Sequence, residues 1–515
     1  MDYEAHKGTK RTGCWSTGVL ECWVFKIPLL HYSITPPLRC LKRPRKHRVL
    51  RGEVLSVLAV AALWITGCMV GPDYKQPAVE IPPQFRAATT TGVESIGDLK
   101  WFEVFNDQYL QDLIRVALVQ NYDLRDAIAR VDAARANLGI TRSNQFPNFG
   151  AGGQFNTIEL SRNGEFSIPS GNRQRNFGTV FLNLFTFEID IWGRLRRATE
   201  SAQAQLLASD WNRKAVITTL ISDVATAYFS LLELDMELAI SRNTLDTREE
   251  SLRLLKTQLQ GGVGTLLDVR QGEQLVYGAA QIIPDDERQI QQLEDQISFL
   301  LGKNPGSVTR GNLLTTQPTP PEVPAGLTSA LLERRPDIQA AEQTLIAANA
   351  NIGVAKAAYF PQITLTGEYG YQSTALSNLF SGSRRYWSFV PQLTQPIFTA
   401  GRIPSQVEFA EAQQRSALAQ YEGAIQAGFR DVSDALIQYE KIREIRAQRE
   451  FLVTSLTDRK RLAYMRFRGG VDTMLNALNS DQDLFAAQLS LAEARRDELL
   501  SLVQVYKALG GGWQE

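Results

Sequence analysis

Residues 194–260 read RLRRATESAQAQLLASDWNRKAVITTLISDVATAYFSLLELDMELAISRNTLDTREESLRLLKTQLQ, and this stretch contains neither glycine nor proline. Apolar side chains recur within it at helical spacing, as at Leu220, Val224, Tyr228 and Leu231. A single helix of this length would extend about 100 Å. Most helices of globular proteins are far shorter, so the stretch predicts an elongated helical protein.

Glycines interrupt the helical pattern at matching places in two parts of the chain. Residues 261–264 read GGVG and separate the first long segment from a second helical segment at about 266–301. Segments 405–468 and 473–509 repeat this arrangement around residues 469–470. Glycine adopts the left-handed backbone that ends a helix without strain. Each pair of segments therefore predicts a long helical hairpin with a glycine turn at its tip.

The body of the chain is a tandem repeat. At an offset of 214, positions 121–147 match positions 335–361, and nine of the aligned pairs are identical. At an offset of 208, Gly193 and the segment after it match Gly401 and its segment. A fixed offset over such lengths means that one structural unit occurs twice. The predicted organisation is a leader (1–67), an extended segment (68–105), repeat 1 (106–316), a proline-rich linker (317–324) and repeat 2 (325–515).

Each repeat begins with a helical stretch, about 106–144 and about 325–358, which a Phe-Pro pair ends. Strand patterns follow it, at about 147–160 and 175–190 in repeat 1 and about 363–372 and 387–398 in repeat 2. In repeat 2 the alternation separates an apolar face (Ile363, Leu365, Tyr369, Tyr371) from a polar face (Thr364, Thr366, Glu368, Gln372). In repeat 1, four phenylalanines share one parity (Phe177, Phe181, Phe185, Phe187).

These strands are long enough to cross an outer membrane when tilted. No segment after residue 68 approaches about 18 uncharged apolar residues, the length of a helical membrane span. A membrane crossing by this chain would therefore need a closed β-barrel. Two strands per repeat make four, which are too few to close a barrel alone, so the pattern predicts an oligomer.

The N-terminal region has the layout of a secretory signal peptide. A basic stretch at residues 42–51 precedes an uncharged, largely apolar run at 54–67, and Cys68 follows directly. The run ends in ITGC, which resembles a bacterial lipobox. That resemblance implies cleavage before Cys68 and a covalent lipid on it, and Met69 at the second mature position favours the outer membrane. A plain apolar segment with a chance cysteine is the alternative.

All three His and all four Cys lie at or before position 68. Downstream, no Ser-His-Asp or Cys-His nucleophile and no Cys/His metal site can be built. We therefore predict no catalytic residues, no metal and no cofactor apart from the lipid on Cys68. A hydrolase that uses only carboxylates survives this exclusion, although no paired-acid pocket is identifiable.

The formal net charge of zero conceals two unequal parts. Residues 1–67 hold 11 of the 55 basic residues but only four of the 55 acidic ones, so the leader is basic and the body mildly acidic. Charged clusters on long helices usually form solvated faces, and no nucleic-acid partner is predicted.

The mature chain resembles the TolC-like outer membrane factors, and in particular the lipoprotein (OprM/NodT-like) branch of efflux-pump outer membrane channels. The resemblance covers residues 68–515, and its motifs recur in both repeats. It is carried by VGPDYKQP (70–77), WFEVFNDQYLQDLI (101–114), DIWGR (190–194), IPDDERQI (283–290), QPIFTAGR (395–402) and YKALGGGW (506–513).

The resemblance implies a mixed fold, in which a membrane β-barrel joins a long α-helical coiled-coil barrel. Family members are homotrimers, and each chain gives four strands to one 12-stranded barrel and its long helices to a periplasmic tunnel. It also implies a lipid-anchored position in the outer membrane of a Gram-negative bacterium. The implied partners are a periplasmic adaptor protein, an inner-membrane resistance-nodulation-division pump and outer membrane lipid. The residues expected to face the barrel lumen are Thr364, Thr366, Glu368 and Gln372.

The resemblance further implies that the idle tunnel closes at the hairpin tips. Family carboxylates near the second tip ring this aperture, and the matching residue is Asp472, whose three copies would repel one another. The alternative is that Asp472 only caps the returning helix. Asp268 and Asp481 are expected to be solvated or lumen-facing carboxylates. The tip residues expected to contact the adaptor are Val263, Gly264, Thr265, Gly470, Val471 and Thr473.

The predicted function is therefore a passive exit channel of a tripartite efflux system for small molecules. The energy would come from the inner-membrane pump. One alternative is an outer membrane channel for type I protein secretion, against which the lipobox argues. Another is a non-conducting coiled-coil lipoprotein, against which the polar strand face argues. Drugs, metal ions and solvents all remain open as substrates.

Overall fold

The computed structural model describes residues 69–86, 95–159, 161, 174–317, 325–326 and 328–514. The predicted leader (1–67), Cys68 and all but the first residue of the linker (317–324) lie outside the described residues.

The first repeat has the predicted order of helical stretch, strand pair and helical hairpin. A short helix α1 (Trp101–Val104) precedes α2 (Gln108–Gln120) and α3 (Tyr122–Ser143). The remaining elements are β1 (Phe149–Glu159), β2 (Gln174–Glu188), α4 (Arg194–Gln260), α5 (Leu266–Ala280) and α6 (Ile282–Leu300).

The second repeat has the same order, which confirms the tandem repeat. It begins with α7 (Ala330–Arg334) and α8 (Pro336–Ala357). The remaining elements are β3 (Gln362–Ser373), β4 (Arg385–Thr394), α9 (Arg402–Arg468) and α10 (Met474–Ala508). Short 3-10 turns lie at Ile96–Asp98, Leu314–Thr316, Leu376–Asn378 and Gly382–Arg384.

The two long helices have equal length. Both α4 and α9 contain 67 residues. Each begins after a glycine in the left-handed region, Gly193 (φ 77°) and Gly401 (φ 82°), and each ends at a glycine, Gly261 and Gly469. The absence of glycine and proline from 194–260 thus correctly predicts one uninterrupted helix.

Both predicted helical stretches before the strands are broken at one corresponding residue. The breaks fall at Asn121 and Arg335, which are 214 positions apart like the rest of this part of the repeat. Asn121 caps the helix that follows it, because Leu124 N donates to its Oδ1 (2.9 Å). Arg335 is extended because the ring of Pro336 disfavours the helical conformation for the residue before it.

The returning segment of the first hairpin is also broken. Pro284 predicts a bend there, and the break falls at Gln281, between α5 and α6. The ring of a proline crowds the carbonyl four residues earlier, which here is that of Ala280, the last residue of α5. The corresponding helix α10 contains no proline and runs unbroken for 35 residues.

The four strands form one antiparallel sheet in the order β1-β2-β3-β4. One row of partners across it runs from Phe149 to Leu184, Gly367 and Phe389. This row belongs to an apolar face, and its large side chains are exposed in the single chain. They include Phe149, Leu182, Tyr369, Trp387, Phe389 and Leu393.

A bulge in β2 divides the four phenylalanines of repeat 1 between the two faces. The register shifts between Leu184 and Phe187, so Phe187 lies opposite Leu365 on the apolar face, whereas Phe181 lies opposite Gly370 on the other face. The prediction that all four share one face is wrong for Phe187, because a bulge inserts one residue into the alternation.

The apolar middle of α4 belongs to the protein core. One 18-residue window of this helix has a mean hydropathy of 1.6, which by length and composition is enough to cross a membrane. This window comes closer to a helical membrane span than the prediction for the segments after residue 68 allows. However, 61% of the window is buried inside the chain. Val224, Tyr228 and Leu231 lie in one hydrophobic cluster with Ile114 of α2 and Val503 of α10.

Candidate functional site: the hairpin tips and the strand sheet

The first tip, between α4 and α5, is a tight glycine turn. Val263 N and Gly264 N both donate to Gln258 O (3.0 Å each), and Gly262 has φ 73°. Thr265 then caps α5, because Asp268 N donates to its Oγ1 (3.2 Å) while Thr265 N donates to Asp268 Oδ2 (2.9 Å). This reciprocal arrangement of Thr265 and Asp268 is a capping box.

The second tip, between α9 and α10, repeats the turn. Gly469 N donates to Met465 O (3.0 Å), Val471 N donates to Arg466 O (3.1 Å), and Gly470 has φ 73°. The valine at the corresponding place in each tip is exposed, with exposed fractions of 83% for Val263 and 66% for Val471. Both tips thus present an apolar side chain from a rigid turn.

Asp472 accepts three hydrogen bonds at the second tip. Its Oδ1 accepts from Asn476 Nδ2 (2.6 Å) and Thr473 N (2.8 Å), and its Oδ2 accepts from Arg466 Nε (3.1 Å). Hydrogen bonds hold the pKa of the Asp472 carboxyl below its usual range. The Asn476 amide contributes most, followed by the Thr473 N–H and the Arg466 guanidinium. Its charge is therefore partly balanced within the chain.

The two tips differ at the position of Asp472. Thr473, rather than Asp472, is the N-cap residue of α10, and within the described residues its own side chain makes no capping bond. At the offset of 208, Asp472 corresponds to Gly264, and Thr473 corresponds to Thr265. A carboxylate accepts from the threonine N–H in both tips, but it comes from Asp268 in the first and from Asp472 in the second.

A buried ionic cluster connects the two helical hairpins. Asp481 of α10 is only 2% exposed. Its Oδ2 accepts from Arg248 Nε of α4 (2.8 Å), and its Oδ1 contacts Lys460 Nζ of α9 (2.5 Å). The remaining Arg248 donors reach Leu275 O of α5 (2.9 Å) and Gln482 Oε1 (2.9 Å). One cluster therefore connects four helices.

This cluster corrects the expectation for Asp481. A solvated or lumen-facing carboxylate was expected, but the side chain is buried between two cations. The sequence also does not predict that Arg248 is buried, because an arginine in a long charged helix is usually solvated. Asp268, by contrast, is partly exposed.

The polar residues of β3 share one face of the sheet. Thr364, Thr366, Glu368 and Gln372 lie on the side opposite the Tyr369 side chain. Glu368 accepts a hydrogen bond from the Tyr386 hydroxyl of β4, and Thr366 Oγ1 donates to Val390 O (3.4 Å).

Two aromatic rings from β2 also lie on this face. A Cβ added to Gly152 would lie 2.8 Å from the Phe181 ring, and one added to Gly150 would lie 2.6 Å from the Phe185 ring. The rings cover glycines of β1, a device that protects strand glycines. The face is therefore less uniformly polar than the alternation in β3 predicts.

The residues that follow Cys68 are fixed where β2 ends and α4 begins. Val70 N donates to Trp192 O (3.0 Å), and a Cβ on Gly193 would lie 2.8 Å from Met69 Cγ. Gly71 has φ 102° and passes so close to α8 that an added Cβ would lie 2.5 Å from Gly353 Cα. Only glycine fits both positions of this crossing.

Arg197 donates hydrogen bonds to the same segment. It is 2% exposed, and its guanidinium donates to Asp73 Oδ1 (2.6 Å) and Glu200 Oε2 (2.8 Å). Longer bonds reach Val70 O (3.4 Å) and Gly71 O (3.5 Å). Residues 69–73 are therefore an ordered part of this junction. Across the residues that the structure describes, no group of three or more His, Cys, Asp or Glu is arranged to hold a metal ion.

Comparison with known proteins identifies relatives along both repeats. The family described as "Outer membrane efflux protein" matches residues 113–303 and 327–511. The chain is 37% identical over 468 residues to the antibiotic efflux pump outer membrane protein ArpC of Pseudomonas putida, covering 90% of this chain and 96% of ArpC. It is 36% identical over 474 residues to the solvent efflux pump outer membrane protein SrpC of Pseudomonas putida, covering 89% and 98%.

A solved structure gives the same result. The open state of the Neisseria gonorrhoeae MtrE outer membrane channel matches with a TM-score of 0.80 and 32% identity, and the match covers 87% of this chain and 99% of MtrE. The predicted TolC-like fold, with four antiparallel strands and long helices in a tandem repeat, is confirmed.

The matched regions contain the strands, both hairpins and both tips. The chain is a non-enzymatic channel of the bacterial outer membrane with a helical tunnel on the periplasmic side. It belongs to the outer membrane efflux protein family and is the outer membrane component of an efflux pump.

Proposed function

We propose that three copies of this chain form one homotrimeric channel, in which twelve strands close a single barrel. The observation that carries this proposal is the four-stranded sheet with its exposed apolar face. Within the described residues, β1 and β4 each have a strand partner on one side only. An apolar outer face fits lipid, whereas unpaired strand edges are costly there, so further strands must complete the sheet.

The proposed channel is a passive conduit for antibiotics and organic solvents. These two classes appear in the names of ArpC and SrpC. An inner-membrane resistance-nodulation-division pump would supply the energy, and a periplasmic adaptor protein would connect it to this channel. The proposed lumen-facing residues are Thr364, Thr366, Glu368 and Gln372, which share the face opposite the apolar one.

Deletion of the gene tests this function. We expect the deletion strain to become several-fold more susceptible to antibiotics and to aromatic solvents, because their last exit step is lost. The measurement is the minimal inhibitory concentration of a panel of antibiotics, dyes, solvents and metal ions, with the wild-type gene returned on a plasmid as control. Unchanged susceptibility to the whole panel would contradict an efflux role, and loss of a secreted protein instead would favour type I secretion.

The adaptor is proposed to bind the hairpin tips. The proposed contact residues are Val263, Gly264, Thr265, Gly470, Val471 and Thr473. The exposed valine in each tip supports this assignment, because exposed apolar side chains on a rigid turn favour a protein contact.

Asp472 is proposed to form the periplasmic aperture. Its side chain stands at the tip and ties the start of α10 to the end of α9 through Arg466. Three copies around one axis would place three such carboxylates around the opening. The alternative, in which Asp472 only stabilises its own turn, rests on the bonds from Thr473 N and Asn476.

The substitution Asp472→Ala is expected to raise the single-channel conductance in a planar bilayer, because it removes both the side chain and the link to Arg466. The matched control is Asp268→Ala, which removes the capping carboxylate of the first tip but leaves the proposed aperture unchanged. If conductance is unaltered in Asp472→Ala, or rises equally in Asp268→Ala, the aperture assignment fails and local capping suffices.

Cys68 is proposed to carry the covalent lipid. The supporting observation is the fixed position of Met69 and Val70 beside Trp192 and Gly193, where the last strand residues of β2 give way to α4. A lipid attached one residue earlier would start at this edge of the sheet, where a barrel strand leaves the membrane.

A further inference from the structure

Two carboxylates lie on the polar face of the described strands, and they differ in how their charge is balanced. Glu188, at the end of β2, accepts from Arg194 Nε (2.8 Å) and Arg194 Nη2 (2.5 Å), so its charge is neutralised inside the chain. Glu368 of β3 accepts a hydrogen bond from the Tyr386 hydroxyl, and no arginine or lysine of the described residues forms an ion pair with it. The charge of Glu368 therefore remains available on this face.

The cation on this face of the described strands is far from Glu368. It is Arg175 of β2, eight positions before Asn183, which is the direct partner of Glu368. At the rise of a β-strand, eight residues span about 27 Å. Because the Debye length at physiological salt is about 8 Å, Arg175 has little effect on the charge of Glu368. That charge can therefore attract a cation from the solvent.

Two aromatic rings lie close to this carboxylate. Phe181 and Phe185 flank Asn183, which lies directly opposite Glu368. Diagonal neighbours on one face of an antiparallel sheet are about 7–8 Å apart, which long and aromatic side chains can reach. Phe185 is 52% exposed in the single chain, although it lies on the polar face. This part of the face therefore combines an unpaired negative charge with accessible aromatic surface.

A carboxylate beside aromatic rings matches the chemistry of an organic cation. The face of an aromatic ring attracts a cation, and quaternary ammonium groups are recognised in this way. The carboxylate adds an attraction that a neutral solvent molecule cannot use and that an anion would oppose. An aromatic ammonium ion can use both parts at once, because its charged group can face Glu368 while its ring packs against Phe181 or Phe185.

We propose that Glu368, Phe181 and Phe185 form a weak binding site for organic cations on the inner wall of the channel. The inference rests on the proposed function, because the polar face lines a lumen only if three copies close one barrel. That barrel would hold three such sites at one level. Each site is open to the lumen and combines two weak attractions, so bound molecules leave again quickly, as conduction requires. The wall would thus favour cationic compounds over neutral compounds of similar shape.

Binding of small probes to the full chain in lipid nanodiscs tests this site, with empty nanodiscs as control. Saturation-transfer difference NMR is suitable because it detects weakly bound, rapidly exchanging molecules. Benzyltrimethylammonium carries a ring and a positive charge, tetramethylammonium only the charge, and benzyl alcohol only the ring. We expect saturable binding of benzyltrimethylammonium, with a dissociation constant at least about fivefold lower than that of either other probe.

Substitutions then assign the binding to these side chains. Glu368→Gln should raise the dissociation constant of benzyltrimethylammonium at least about fivefold, because it removes the charge and keeps the shape of the side chain. The double variant Phe181→Leu, Phe185→Leu should raise it by a similar factor. The matched control is Glu159→Gln, which removes the same charge from the opposite face of the sheet and should leave binding unchanged. Tyr386→Phe removes the hydrogen bond to Glu368 but keeps its charge, so it should bind at least as tightly as the wild type.

The wild-type protein alone can overturn the proposal. Equal affinity for benzyl alcohol and benzyltrimethylammonium, or no saturable binding, would do so without any variant. An equal loss in Glu368→Gln and Glu159→Gln would also overturn it, because overall charge would then account for binding. The proposed function fails separately, through a monomeric native mass or through unchanged susceptibility of the deletion strain. An assembled channel that supports efflux but binds no probe refutes the cation site alone.

Discussion

Substitution of Asp481 by alanine is expected to lower the free energy of unfolding by about 3–5 kcal/mol, the usual cost of removing one partner from a buried ion pair. Asp481 lies between Arg248 and Lys460, and both it and Arg248 are almost fully buried. Without the carboxylate, two cations from different helices face each other with no anion between them. The denaturant midpoint, followed by far-UV circular dichroism of the purified protein in detergent, measures the loss.

The repeat supplies a matched control. At the offset of 208, Asp481 corresponds to Glu273 in α5, whose neighbours are Arg270 (2.6 Å) and Lys256 (3.6 Å) near the surface. Surface ion pairs contribute little, so Glu273→Ala should shift the midpoint only slightly. The triple variant Arg248→Leu, Lys460→Leu, Asp481→Leu should recover most of the stability, because apolar replacement of a whole buried cluster is often neutral. Equal shifts for Asp481→Ala and Glu273→Ala would contradict the structural role of the cluster.

Substitution of Gly353 by alanine is expected to displace the N-terminal segment and to lower the free energy of unfolding by about 1–3 kcal/mol, the usual cost of overpacking. The added Cβ would lie 2.7 Å from Val70 O and 2.8 Å from Arg197 Cγ. The first of these atoms belongs to the backbone and cannot rotate away. Limited proteolysis with mass spectrometry should detect new cleavage within residues 69–86, and the denaturant midpoint should fall.

Gly139→Ala is the control for this substitution. Gly139 is the repeat counterpart of Gly353 and also lies inside a helix, but a Cβ there would meet no heavy atom of the described residues within 4 Å apart from the backbone of its own helical turn. Because alanine is a better helix former than glycine, this variant should gain about 0.5–1 kcal/mol. If both variants gain stability, the close passage of residues 69–71 over α8 does not constrain Gly353.

The sequence predicts the large features of this fold because they depend on residue patterns within one segment. Lack of glycine and proline in 194–260 predicts the long helix, and the glycine turns at 261–264 and 469–470 predict the tips. The repeat offsets and the alternation in β3 then predict the order of elements and the sheet faces. The family assignment and the efflux role follow from the same motifs and are confirmed.

The features that escaped prediction depend on contacts between distant segments or on a single inserted residue. Asp481 resembles a solvated helix residue until α4 brings Arg248 beside it, 233 positions away in sequence. The bulge after Leu184 changes the face of Phe187 although the residue pattern continues through it. The tight crossing of Gly71 and Gly353 likewise joins residues that no local pattern connects.

The ionic cluster around Asp481 has a consequence for how a trimeric tunnel would widen. At the repeat positions of Arg248 and Lys460, at the same offset of 208, stand Leu456 and Leu252. Within one chain, the two hairpins are therefore joined by an ionic cluster, whereas in the proposed trimer the positions that correspond to its two cations carry leucine. We expect the tunnel to open at the three contacts between chains. Each chain would then move as one rigid unit that includes both of its tips. An increase, on opening, in the distance between spin labels on the two tips of a single chain would contradict this rigid-body motion.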